Sequence, residues 1–186
     1  MDRSERLLSR CRRSLGRPRV VVALALAFCA SQAAIVRLLR PLEGSAVFAL
    51  QTTLSAEEFA GTLRAWRDAG LLEAYWRHYA VDFVHPLIYG AFLAALLSWA
   101  LDANRKDERS NRLLWLPIAA GLLDLFENAV HVALLAEPTR ISTLPVVASG
   151  IAAILKWGFV AASLAIAVVL SWRAFRLRLA AHDRSV

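Results

Sequence analysis

The chain has 186 residues, is 58% hydrophobic with a mean hydropathy of +0.48, and carries a formal net charge of +7. So much apolar material exceeds what an ordinary soluble domain carries and places the chain among membrane proteins. The basic balance is not a nucleic-acid footprint, because the arginines gather beside apolar segments, where they report topology.

Seven arginines (Arg3, Arg6, Arg10, Arg12, Arg13, Arg17 and Arg19) precede a first apolar stretch over 20–36. With small residues around Ala30 to Ala34, this is the layout of a signal peptide. Arg12-Arg13 faintly resembles a twin-arginine signal and Leu26 to Cys29 a lipobox, although Phe28 stands where a small residue belongs. Apolar character continues beyond the cleavage position, so a retained signal anchor is expected; cleavage would leave three spans. Cys11 and Cys29 are the only cysteines and no Cys-x-x-Cys occurs, which argues against both a disulfide and a thiol oxidoreductase.

Residues 37–79 form the one sizeable segment outside the apolar stretches. Ser55 and Glu58 have capping-box spacing, so an amphipathic helix should follow and stop near Gly70. Phe59, Leu63 and Trp66 share a face of it, suited to packing on the bundle or to forming a lid over a lateral opening. Three further stretches, 80–101, 113–135 and 144–172, meet the ~20 apolar residues that a spanning helix needs. Arg105, Lys106, Arg109 and Arg112 lie between the second and third, and Arg173, Arg176, Arg178 and Arg184 follow the fourth. The positive-inside rule then puts both termini in the cytoplasm and 37–79 on the exoplasmic side. The expected fold is all-α: one polytopic membrane four-helix bundle over 1–186, with one exoplasmic amphipathic helix.

In the second stretch Pro86 has no N–H to give to the carbonyl of Asp82, so a kink, a free carbonyl and the side chains of Asp82 and His85 fall on one turn. Gly90 with Ala94, and Gly158 with Ala162, are small-x-x-x-small pairs suited to close helix packing. The third stretch carries Asp124, Glu127, Asn128 and His131 along one face of an otherwise apolar helix. A charge at bilayer depth costs ~2.5–3.5 kcal/mol on insertion scales, so such groups turn toward a partner, a bundle interior or a water-filled cavity. At ~1.5 Å rise per residue, Lys156 on the fourth span reaches the level of Asp124, with Ser149 and Ser163 on the same face. Asp82 and His85 reach the level of Asn128 and His131.

Two readings follow. In one, Asp124 and Lys156 form an ion pair that orients the helices. In the other, the excess of ionisable groups makes a site in which Asp124, Glu127 and His131 handle protons, and Asp82, His85, Tyr89, Asn128 and Lys156 bind a ligand. Asp82, His85, Glu127 and His131 could be arranged as metal ligands, but their spacings are too short and common to predict a metal or any cofactor.

The elements Asp82-x(3)-Pro86-Leu-x-Tyr89-Gly90 and Asp124-x-x-Glu127-Asn128 resemble a group of small, uncharacterised bacterial four-span membrane proteins. The resemblance covers about residues 45–135 and implies an inner-membrane location and the same architecture. A remoter layout, acidic residues in adjacent spans around a lipophilic cavity, is similar to that of four-helix membrane sterol isomerases; it rests on Asp82, Pro86 and the Asp124/Glu127 pair. The expected function is binding or acid–base processing of a small lipophilic molecule in an outward-facing intramembrane pocket, with membrane lipids as surroundings and no nucleic acid. A proton- or ion-coupled transporter subunit, or a non-catalytic membrane partner in a homo-oligomer or larger complex, is the alternative.

Overall fold

The computed structural model describes residues 3–182, with side chains over 5–177; Arg184, and the side chains of Arg3 and Arg178, lie outside the described residues. In chain order the helices are α1 (Arg3–Leu15), α2 (Pro18–Leu39), α3 (Gly44–Thr52), α4 (Ala56–Asp68), α5 (Leu72–Asp82), α6 (His85–Ala103), α7 (Trp115–Ala136) and α8 (Thr143–His182). A 3₁₀ turn over Glu108–Leu114 leads into α7. Four of these segments, α2, α6, the 3₁₀ turn with α7, and most of α8, are long and apolar enough to cross a membrane. The fold is an all-α four-helix membrane bundle, as the hydropathy pattern requires.

Between the first two spans the structure holds three helices where one was predicted. The predicted one, α4, starts where expected: Ser55 Oγ accepts from Glu58 N at 3.2 Å. The reciprocal half of the capping box runs through Thr53, whose hydroxyl accepts from Ser55 N and donates to Glu58 Oε2 at 2.7 Å. Gly70, at φ +72°, ends α4 in a Schellman arrangement, with Gly70 N on Arg67 O and Leu71 N on Trp66 O. The two additional helices escape periodicity for different reasons. Helix α3 is short and apolar on more than one side, and α5 merges in sequence with the span after it.

That merger is resolved by Pro86. Helix α5 stops at Asp82, and Phe83 and Val84 form a turn with right-handed helical backbone angles. Pro86 stands in the first turn of α6, where its missing N–H costs α6 nothing but leaves Asp82 O without the donor a continuous helix would supply. The expected kink is therefore a break, and the span begins at His85 rather than at residue 80.

Helices α6 and α7 approach closely through a reciprocal device. A Cβ at Gly121 would lie 3.1 Å from Pro86 O, and one at Gly90 would lie 3.3 Å from Pro117 O. Each helix thus sets a glycine against the other's proline carbonyl. The second small pair is not used this way, since a Cβ at Gly158 would meet nothing.

Helix α7 packs on α8 and α6, α6 also on α8 and α2, and α2 on α6 and α5. At one end of the bundle Phe59, Leu63 and Trp66 of α4 are buried with Tyr75, Tyr79, Leu134 and Val146. At the other end α1 lies across α6 and the 3₁₀ turn, with Leu8, Ser9 and Arg12 buried.

Candidate functional site

Lys156 is the centre of the polar interior. It is buried in α8, with Nζ 2.6 Å from Asp124 Oδ1 and 2.7 Å from Glu127 Oε2 of α7. The Asp124 contact is also a hydrogen bond, whereas the Glu127 contact is an ion pair without hydrogen-bonding angles. The predicted Asp124–Lys156 pair is present, enlarged to a triad. Ser149 and Ser163 face inward with Lys156 but donate to carbonyls of their own helix, Val146 O and Phe159 O, so they bring no polarity to the site.

The break before α6 delivers the next residues. Asn128 Nδ2 donates to Asp82 O at 2.9 Å, so the carbonyl that Pro86 leaves free is met from α7. The Asp82 carboxylate lies 3.6 Å from His78 Nε2, too far for a hydrogen bond. His78 Nδ1 donates to the carbonyl of Tyr75.

His85 is positioned by the first span. Ser31 Oγ spends its one proton on Phe28 O and lies 2.9 Å from His85 Nδ1. With that proton on Phe28 O, the matching tautomer donates from Nδ1 to Ser31 and leaves Nε2 with a free lone pair. Phe28 stacks on the same ring, with centroids 5.7 Å apart.

A cavity of about 690 Å³ opens along this interior. Asp82, His85, Tyr89, Asp124 and Lys156 line one wall, with His78 beside them. Apolar groups such as Phe28, Phe92, Leu93, Trp157 and Val160 supply most of the rest, and Gln32, Arg40 and Gln51 add polar atoms contributed by α2, the turn after it and α3. The volume is of the size that small-molecule sites have. Ligands for a metal are not assembled: among the described residues no three His, Cys, Asp or Glu side chains are grouped to hold one.

Glu127, Asn128 and His131 do not line the cavity; they lie behind it, each almost fully buried. His131 belongs to a separate chain of contacts in which Tyr79 OH donates to Tyr75 OH at 2.9 Å and His131 Nδ1 lies 3.1 Å from Tyr75 OH and 3.3 Å from Tyr79 OH. Burial, with the Glu127 and Asp82 charges nearby, holds the Tyr75 and Tyr79 phenols well above the ordinary tyrosine pKa, so both stay protonated donors. His131 Nε2, Glu127 Oε1 and Asn128 Oδ1, within one turn of α7, have no hydrogen-bond partner among the described residues. The two oxygens are acceptors.

Of the eight residues singled out in the sequence, five therefore share the cavity wall and three stand behind it. The residues not anticipated are Phe28, Ser31, Tyr75, His78 and Tyr79. Tyr75, His78 and Tyr79 stand among aromatics and bases at the start of the second apolar stretch, where such a mixture reads as an interfacial belt. The register His78–Asp82–His85–Tyr89, with steps of four, three and four, was the available signal that they continue one polar face. Compared with known proteins, the chain matches no family model, no curated protein and no solved structure.

Proposed function

We propose that this integral membrane protein binds, and carries out acid–base chemistry on, a small lipophilic molecule held in the cavity between its spans. The observation that carries the reading is a volume of about 690 Å³ with apolar sides and one ionisable wall, at Asp82, His85, Asp124 and Lys156. Apolar walls supply affinity, and a few convergent polar groups supply orientation. His85 Nε2 is the proton acceptor, Asp124 with Lys156 is the charged pair that meets the ligand, and Tyr89 and Asp82 flank them. Glu127, Asn128 and His131 act from behind by fixing Lys156 and the break at Asp82. The positive-inside distribution supports cytoplasmic termini in a bacterial inner membrane, with the cavity nearer the exoplasmic half.

The test is native mass spectrometry of the purified protein beside that of Asp124→Asn and His85→Ala. A copurifying lipophilic adduct in the wild type that is weakened in both variants is expected. Its absence, with unchanged behaviour of both variants toward every lipophile offered, would sink the reading.

One observation favours a second reading, a membrane partner without chemistry of its own: Lys156 is matched by two carboxylates inside the protein. Such a triad can serve as interhelical glue alone. Stable copurification with a larger complex, undisturbed by His85→Ala, would support it.

A further inference from the structure

The cavity is bounded by α2 on one side and α8 on the other, yet these two helices share no substantial interface; α2 leans on α5 and α6 instead. Val36 on α2, and Trp157 and Leu164 on α8, line the cavity and are 59%, 45% and 40% exposed, more than an enclosed cavity would allow. A residue that faces both the cavity and the surroundings marks an opening, and these three lie on segments that cross the membrane. One opening is therefore toward lipid, between α2 and α8; a second lies outside the spans, where Arg40, Gly44 and Phe48 also line the cavity and are exposed. Helix α2 is also the least embedded span, with 6% of its most apolar window buried against 50% for α6. At the α4 end the same cavity is crowded by α3: Phe48 and Trp157 rings lie 6.0 Å apart, and Thr53 O presses on Gly150 of α8.

The wall itself restricts what it can hold, because its donors are largely engaged, Lys156 keeping part of its three N–H groups for Asp124 and Glu127. Tyr89 OH donates to Ala120 O at 3.1 Å, Lys156 faces Asp124 and Glu127, His85 Nδ1 donates to Ser31, and His78 Nδ1 donates to the Tyr75 carbonyl. What remains on the wall is chiefly acceptors: the Asp82 and Asp124 carboxylates and His85 Nε2. On this wall an anionic head would meet two carboxylates and a Lys156 already paired with Asp124 and Glu127, and the lining's arginine, Arg40, stands apart in the turn after α2. A head that donates hydrogen bonds meets partners instead.

We propose that the ligand is a bilayer-resident amphiphile with a hydrogen-bond-donating head, which passes sideways between α2 and α8 and docks that head on the Asp82–His85–Asp124 wall, leaving its chain in the α2/α8 cleft. The proposal rests on the ligand-binding reading above and adds the route and the chemical class.

The test uses the full chain in phosphatidylcholine vesicles and three photoreactive probes of equal chain length: a long-chain alcohol, the matching amine and the matching fatty acid. Each carries a diazirine either beside the head or at the chain end. Head-side diazirines of the alcohol and the amine should label the stretch around Tyr89 and Leu93, and chain-end diazirines should label Val36 or Leu164. Unlabelled alcohol should compete, and the fatty acid should stay at background. Whichever of alcohol and amine labels more strongly identifies the head. Val160→Trp, which puts bulk between Phe28 of α2 and the body of α8, should abolish cavity labelling; Leu164→Trp serves in its place if the first variant loses its helical circular dichroism.

Equal labelling by the fatty acid overturns the head assignment. Head-side labelling at Arg40 or Gln51 overturns the orientation. Labelling undiminished in a folded plug variant overturns the sideways route while leaving ligand binding intact. If no probe labels the cavity saturably, the ligand-binding reading fails together with this one.

Discussion

At the scale of single residues, the interior is organised by groups that cannot be left alone. Lys156 stands between two buried carboxylates, so removing only the ammonium leaves the two acids facing each other away from water. Breaking a buried pair by deleting one partner costs roughly 3–5 kcal/mol, far more than the pair's net contribution relative to neutral residues. Lys156→Gln should therefore lower the thermal midpoint in detergent sharply, and Lys156→Gln with Asp124→Asn and Glu127→Gln should recover most of the loss. A triple variant no more stable than the single one would mean that the cost lies elsewhere. Asn128 offers a sharper case, because its partner is a backbone carbonyl that Pro86 has freed. Asn128→Ala should cost roughly 1–2 kcal/mol by orphaning Asp82 O. Adding Pro86→Ala supplies an N–H four residues on, so the double variant should lose less than the sum of the singles. Strict additivity in that cycle would show that the two groups do not share the carbonyl.

Among the elements, the close α6–α7 approach carries the next expectation. A methyl at Gly121 would press on the Pro86 carbonyl at 3.1 Å, and backbone on both sides leaves little room to yield. Gly121→Ala should destabilise by ~1–3 kcal/mol through this overpacking, while Gly158→Ala, which meets nothing, should be neutral or slightly stabilising. Thermal unfolding of both in one detergent decides it, and equal midpoints would remove the helix contact from the account. The same comparison marks the limit of what the sequence discloses. The Gly-x-x-x-Ala spacing is identical at 90 and at 158, but spacing says only that a helix has a small face, not whether another helix lies on it. The polar stripe of α7 behaves likewise. Periodicity puts Asp124, Glu127, Asn128 and His131 on one side, yet that side is wide enough to be shared between a cavity and a packed interface behind it. The free Asp82 carbonyl was legible because proline chemistry is local; its partner Asn128 was not, because register between helices is a tertiary property. The contribution of α2 was hidden for a related reason. Phe28 and Ser31 carry no charge, and an apolar first span reads the same whether it lines a site or only anchors the chain.

Across the whole molecule, the basic residues do two jobs, and Arg12 separates them. Its charge belongs to the N-terminal cluster that predicts sidedness, but its side chain is engaged rather than free. Nε is 2.6 Å from Asp102 Oδ1, Nη1 donates to Asn111 Oδ1 at 2.9 Å and to Asp107 O at 3.2 Å, and Nη2 donates to Lys106 O at 2.9 Å. Asn111 in turn donates to Ser9 Oγ. This network fixes α1 to the α6–α7 connection, so the N-terminal helix and the 105–112 segment occupy the same end of the bundle, whichever side of a membrane that end faces. The signal in the sequence was the Leu8–Arg12–Leu15 spacing of an amphipathic helix, which a reading of charge alone passes over. Arg12→Ala would leave Asn111 Oδ1 and two carbonyls short of a donor, at roughly 1–3 kcal/mol for the group, and should free α1 from the bundle. Cys11, partly covered on the same helix, reports this directly. A membrane-impermeant maleimide should label it faster in Arg12→Ala than in the wild type when applied to inverted membrane vesicles. It should not label it in either protein when applied to intact spheroplasts. Faster labelling from the spheroplast side would reverse the predicted orientation, and equal rates in inverted vesicles would show that Arg12 does not hold α1 in place.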